Sequence, residues 1–118
     1  MARILLADDD RGALDLVRRA LETDGHVVTA VGDGNDALAA LKTSAFDVLV
    51  ADVEMPGIDG VELARRARAV ATGIRIVFIS GSEELLERAR SLVIVGARTL
   101  SKPFSIDRIR SEVRAALE

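Results

Sequence analysis

The chain has 118 residues, no cysteine, a formal net charge of −3 and a pI near 5.2. That length suits one domain with a single sizeable core. The composition excludes disulfides and thiolate metal sites, argues against nucleic acid as the main partner, and offers no apolar run near the ~18 residues of a membrane span. Met1-Ala2-Arg3 leads straight into a strand without a signal-peptide pattern, so a cytoplasmic protein is expected, with no membrane partner.

Ile4-Leu5-Leu6-Ala7 reads as an apolar strand stopped by Asp8-Asp9-Asp10. Ala13, Leu14, Val17, Ala20 and Leu21 then follow helical spacing up to Gly25. Val27 to Val31 is a second strand, and Asp33-Gly34-Asn35 opens a helix with Ala37, Leu38 and Leu41 inward. Asp47 to Ala51 is the third strand. Asp59-Gly60 reads as a turn, followed by a helical stripe of Leu63, Ala64, Ala67, Val70 and Ala71. Arg75 to Ile79 is the fourth strand, stopped by Ser80-Gly81-Ser82, and Glu83 to Ser91 is a weaker fourth helix. Val93 to Leu100 holds a fifth strand of unfixed register. Ser105 caps a last helix with Ile106, Ile109, Val113 and Leu117 inward.

Strands alternating with amphipathic helices predict a parallel sheet with helices on both faces. All carboxyl ends of such a sheet lie along one edge, where ligands bind. Asp8-Asp9, Asp52, Ser80 and Lys102 follow the first, third, fourth and fifth strands, so they converge there. Val48 to Ala51 is a continuous apolar run, which suits a strand buried on both faces. A carboxylate at its end, Asp52, must point into the crevice or be paired.

Carboxylates brought this close repel one another and raise one another's pKa. His26 lies before the second strand, at the opposite edge, so the available ligands are all oxygens. Hard oxygen donors with open positions suit Mg²⁺ with a phosphate partner. Lys102 is one of two lysines beside 14 arginines, and a lysine offers a compact charge to a phosphoryl oxygen. Ser80 and nearby N–H groups would complete that cradle. Each piece has a plainer reading: Asp8-Asp9-Asp10 as a helix N-cap cluster, Asp52 as the start of a loop, Ser80 as a turn residue, Lys102 as a solvated residue before Pro103. Their joint placement at four strand ends is what favours a site.

Ile4 to Asp10, Asp52-Val53-Glu54-Met55-Pro56-Gly57-Ile58-Asp59-Gly60, Ser80-Gly81 and Lys102-Pro103-Phe104 together closely resemble the receiver domain of two-component response regulators. The resemblance spans the chain. It implies a single receiver domain over 1–118, with no output domain, and a flavodoxin-like (βα)5 doubly wound parallel sheet in strand order 2-1-3-4-5. It also implies Asp52 as the phosphoacceptor and a Mg²⁺ ligand, with Asp8, Asp9 and the backbone carbonyl of Glu54 as the other Mg²⁺ ligands. Ser80 would be the switch hydroxyl and Lys102 the phosphoryl-binding lysine, with a cis bond before Pro103. The phosphoryl donor would be a histidine kinase or histidine phosphotransferase. Self-phosphorylation and dephosphorylation would be the only reactions catalysed.

Receivers usually carry an aromatic residue three before the lysine, and Thr99 stands there instead. Ala97 to Phe104 bears a looser resemblance to the CpdR-type single-domain regulators, which are adaptors for a ClpXP-type protease.

Competing readings are weaker. Gly32-Asp33-Gly34-Asn35-Asp36-Ala37 matches a dinucleotide fingerprint in form, but it follows the second strand, and Asp33 and Asp36 would repel a pyrophosphate. An FMN carrier would want donors, not acids, in the first loop. A HAD-like phosphohydrolase would want an aspartate where Glu54 stands. Arg65-Arg66-Arg68 reads as a solvated helix face rather than a nucleic-acid patch.

Overall fold

The computed structural model describes residues 1–91 and 94–118. Its strands are β1 (Arg3–Ala7), β2 (Val27–Val31), β3 (Val48–Asp52), β4 (Arg75–Ser80) and β5 (Arg98–Ser101). Its helices are α1 (Arg11–Thr23), α2 (Gly34–Thr43), α3 (Gly60–Val70), α4 (Glu83–Ser91) and α5 (Ile106–Leu117). The strands form one parallel sheet in the order β2-β1-β3-β4-β5. This is the flavodoxin-like arrangement expected. No helix among the described residues is long and apolar enough to cross a membrane.

Side-chain alternation divides the core into two layers. Leu5, Ala7, Leu49, Ala51, Ile76 and Phe78 face α2, α3 and α4, which contribute Ala37, Leu63, Ala64, Ala67, Leu86 and Ala89. Ile4, Leu6, Val48, Val50, Val77 and Ile79 face α1 and α5, which contribute Val17, Leu21, Ile109 and Val113. Every residue of β3 is buried, because β3 is central and covered on both faces. β2, at the edge, is only partly covered.

Four local expectations are corrected. Val70 is 67% exposed and Ile106 is 42% exposed, because each sits at a helix end where the chain extends past the sheet. The helix α3 begins at Gly60 itself; Asp59 is its N-cap, accepting from the Glu62 N–H at 2.9 Å. The fifth strand is shorter than the apolar run suggests. Gly96 turns the chain at φ +77° before it, and Val95 is exposed. Val93, where that strand was expected to begin, lies outside the described residues.

Candidate functional site

The registers explain why four loops meet. Ala7 lies opposite Ala51, Asp52 opposite Ile79 and Ser80 opposite Ser101. The strands therefore end nearly level, and the next residues project from one edge. Carboxylate oxygens of Asp8, Asp9 and Asp52 lie within 4.8 Å of one another. Asp8 and Asp52 are buried, at 1% and 6% exposed, whereas Asp9 faces solvent. Lys102 enters from β5, whose end is tied to β4 by its own N–H to the Ser80 carbonyl at 2.7 Å. Its Nζ lies 2.9 Å from Asp52 Oδ2 and 2.9 Å from Asp8 Oδ2. The Lys102–Pro103 peptide bond is cis.

One local device holds the strand-end side chains. Asp8 Oδ1 accepts from the Asp10 N–H at 3.0 Å, Asp52 Oδ1 from the Glu54 N–H at 2.9 Å, and Ser80 Oγ from the Ser82 N–H at 3.0 Å. Each is a short polar side chain bonding two residues ahead, the habit that makes Asp and Ser turn formers. The acidic run after β1 thus divides its labour. Asp10 caps α1 through Gly12 and Ala13, while Asp8 and Asp9 face the site.

Burial pushes the Asp8 carboxyl above the usual aspartate range, against the pull of the Asp10 N–H and Lys102; the charge of Asp52 adds a smaller push. Mutual repulsion is therefore the lesser cause, because desolvation disfavours the charged form more. For Lys102, burial presses downward, but the hydrogen bond to Asp52 and the contact with Asp8 outweigh it and leave its pKa raised. A raised lysine pKa contributes stability below the ordinary lysine value that is lost only as pH rises through the folded one. The full contribution is thus present at pH 7. Lys102→Met should lower metal-free stability at that pH by about 1–3 kcal/mol, the usual cost of leaving buried charge unsatisfied. Urea unfolding with a chelator present checks this, and an undiminished midpoint would contradict it.

The cluster fits a divalent cation. Three carboxylates against one ammonium leave two negative charges uncompensated. Asp8 Oδ2 is buried with no hydrogen-bond partner among the described residues, and Lys102 Nζ stands at ion-pair distance from it. All donors are oxygens, which favours a hard ion. His26 is remote from them: its Nδ1 accepts from the Ala2 N–H at 3.1 Å, beside the start of β2.

Two residues matter here in ways the sequence reading missed. Gly60 packs directly on β3. A Cβ there would lie 2.2 Å from the Asp52 carbonyl oxygen and 3.0 Å from Val53 Cα. Arg90 of α4 donates from Nε to Thr99 Oγ1 at 3.0 Å and pairs with Glu87 at 2.9 Å. The position of the missing ring is thus occupied by a polar link between α4 and β5. Gly34 is likewise pressed against the Ile58 carbonyl, and Asp33 caps the N–H of Asp36. The G-x-G-x-x-A stretch is consumed by helix capping and loop packing rather than opened to a dinucleotide.

Comparison with known proteins identifies the family. A family model described as the response regulator receiver domain matches residues 4–114. The response regulator receiver protein CpdR of Brucella abortus is 37% identical over 117 residues, 99% of this chain and 98% of that protein. Response regulator MprA of Mycobacterium ulcerans is 34% identical over 98% of this chain, which spans only 50% of MprA's length. The crystal structure of TrrA from Thermotoga maritima, in complex with Mg²⁺ and BeF, superposes with a TM-score of 0.87 at 26% identity, covering 99% of this chain and 100% of that one. A CheY-like receiver from Methanospirillum hungatei gives 0.87 at 25% identity, with 99% and 94% covered. With one family model covering nearly the whole chain and an acidic, lysine-bridged cluster at the expected strand ends, the chain belongs to the response regulator receiver domain family of two-component systems.

Proposed function

We propose that Asp52 accepts a phosphoryl group from a phosphohistidine on a histidine kinase or histidine phosphotransferase, and that the chain signals by phosphorylation-dependent protein binding. The observation that carries the proposal is the carboxylate of Asp52, fixed at the end of a fully buried strand and bridged to Asp8 by Lys102. An oxygen of Asp52 attacks phosphorus in line. The new O–P bond forms as the N–P bond to imidazole breaks, and the imidazole leaves with the electron pair. This chemistry asks the protein for position and charge stabilisation more than for covalent help. Lys102 is already within reach and would transfer from the carboxylates to a phosphoryl oxygen. The Ser80 hydroxyl would leave the Ser82 N–H to do the same. Water later cleaves the acyl phosphate, so the chain turns over only its own modification.

Mg²⁺, when bound, supplies the charge neutralisation that the phosphoryl group requires. Asp9, Asp52 and the Glu54 carbonyl would hold it, with Asp8 contributing partly through water. Asp9 is the exposed member of the cluster, and among the described residues its side chain makes no hydrogen bond that competes with a metal. Asp9→Ala is expected to weaken Mg²⁺ binding at least tenfold, because it removes a full charge from the ion's surroundings. Calorimetric titration checks this; an unchanged affinity would refute the assignment.

Output would run through the face built from α4, β5 and α5. Ser80 leads directly into α4, and Lys102 follows β5 three residues after Thr99. Here the Arg90–Thr99 hydrogen bond is the link that must be kept or broken, so loop repositioning would carry the signal in place of an aromatic rotamer. Amide shift mapping with beryllofluoride should move Glu83–Ser91 and Arg98–Ser101; shifts confined to the metal site would contradict this route. The likeness to CpdR over the whole length of both chains supports a protease-adaptor role with a ClpXP-type partner in the cytoplasm.

A further inference from the structure

The loop from Val53 to Asp59 joins β3 to α3 and carries Glu54. Its ends are tied down. The Val53 N–H donates to the Ile79 carbonyl at 2.9 Å, and the Gly60 N–H donates to the Val53 carbonyl at 3.1 Å. Its middle is not: among the described residues, no backbone hydrogen bond joins Met55 to Ile58 with another part of the chain. What meets the middle is the start of α2. Gly34 is the first residue of that helix and is buried. A Cβ on it would lie 2.5 Å from the Ile58 carbonyl oxygen and 2.8 Å from Ile58 Cβ. Beside it, Asn35 Nδ2 stands 3.6 Å from the Cβ position of Gly57, the loop residue at φ +77°. Two successive residues of α2 thus abut two successive residues of the loop. The helix is the firmer side. Asp33 caps it, accepting from the Asp36 N–H at 2.7 Å, and Ala37 is fully buried in the core beneath it.

We propose that Gly34 is a positioning residue for the metal site: its bare backbone is the stop on which the loop rests, and so it fixes where the Glu54 carbonyl stands relative to Asp52. This role rests on the reading of that carbonyl as a Mg²⁺ ligand. Mg²⁺ accepts little departure from octahedral geometry, whereas Ca²⁺ tolerates longer and less regular ligation. A methyl at Gly34 needs ordinary contact, 3.4 Å or more, where the Ile58 oxygen leaves it 2.5 Å. One side must retreat by nearly an ångström. The loop retreats, because its middle has no backbone hydrogen bond to break, while α2 would give up its cap and the burial of Ala37. Gly34 is not at positive φ, so alanine suits the helix itself and the effect is steric rather than conformational. Gly34 thereby gives α2, which the output face does not include, a mechanical connection to the metal.

The test is calorimetric titration of the intact chain with Mg²⁺ and, separately, with Ca²⁺. Gly34→Ala should bind Mg²⁺ about tenfold more weakly, the scale on which groups behind a ligand act, and should lose much less of its Ca²⁺ affinity. Ala39→Gly is the control for a merely weakened helix. Ala39 is exposed, so glycine there loosens α2 without altering what meets the loop, and neither affinity should move. Gly32→Ala, where nothing lies within 4 Å of the added methyl, should be equally silent. Circular dichroism confirms folding. Should Gly34→Ala not fold, Ile58→Gly carries the test: it removes the side chain that rests on Gly34, adds no clash, and should weaken Mg²⁺ more than Ca²⁺. Mg²⁺ binding like wild type in folded Gly34→Ala or, in its place, Ile58→Gly would overturn the role of Gly34. So would an equal loss for both ions, or the same loss in Ala39→Gly. A wild-type chain that binds no Mg²⁺ would instead overturn the metal reading, and this role with it.

Discussion

Replacing Gly60 with alanine is expected to destabilise the protein by about 3 kcal/mol and to weaken Mg²⁺ binding with it. A methyl at this position would meet the carbonyl oxygen of Asp52 at 2.2 Å, a distance that real side chains do not tolerate. The obstacle is backbone, and it belongs to a strand buried from end to end, so neither side can yield cheaply. If α3 moves away, it withdraws Leu63, Ala64 and Ala67 from the core. If β3 yields instead, the carboxylate of Asp52 leaves the Asp8–Lys102 cluster. Gly73→Ala is the control: nothing lies within 4 Å of its Cβ position, so it should cost little or even stabilise slightly. Chemical unfolding and Mg²⁺ titration of both variants measure the difference. A Gly60→Ala protein as stable as wild type would show that α3 does not clamp β3.

The site and the fold differ in how far the sequence reveals them. Asp8, Asp52, Ser80 and Lys102 were legible because strand alternation needs only local pattern, and parallel topology then gathers every strand end on one edge. Gly60 was misread because Asp-Gly has the composition of a turn, and nothing local records the Asp52 carbonyl oxygen that a Cβ there would meet at 2.2 Å. The shared i+2 hydrogen bonds at Asp8, Asp52 and Ser80 follow from side-chain chemistry, yet they become visible only once the loops are built. Val70 and Ile106 follow the helical period but fall where no sheet remains to cover them. The fifth strand was hidden because its apolar run continues through Val95, while the pairing begins only after Gly96 reverses the chain. Thr99 marked a missing ring, but its hydrogen bond with Arg90 depends on how α4 lies over β5.

The proposed acceptor, Asp52, carries the remaining large effect. Asp52 has the only cluster carboxylate that ends a strand in the middle of the sheet, and both its oxygens are already engaged, one by the Glu54 N–H and one by Lys102. Asp8 is raised by burial and is held by the Asp10 N–H, which suits a supporting ligand better than a nucleophile. Asp9 projects from a loop into solvent. Removing Asp52 should therefore abolish modification rather than divert it to a neighbour. Intact-mass spectrometry after incubation with acetyl phosphate and Mg²⁺ is the decisive measurement. The wild-type chain should gain one phosphate and Asp52→Ala none; an undiminished adduct on Asp52→Ala would contradict the assignment.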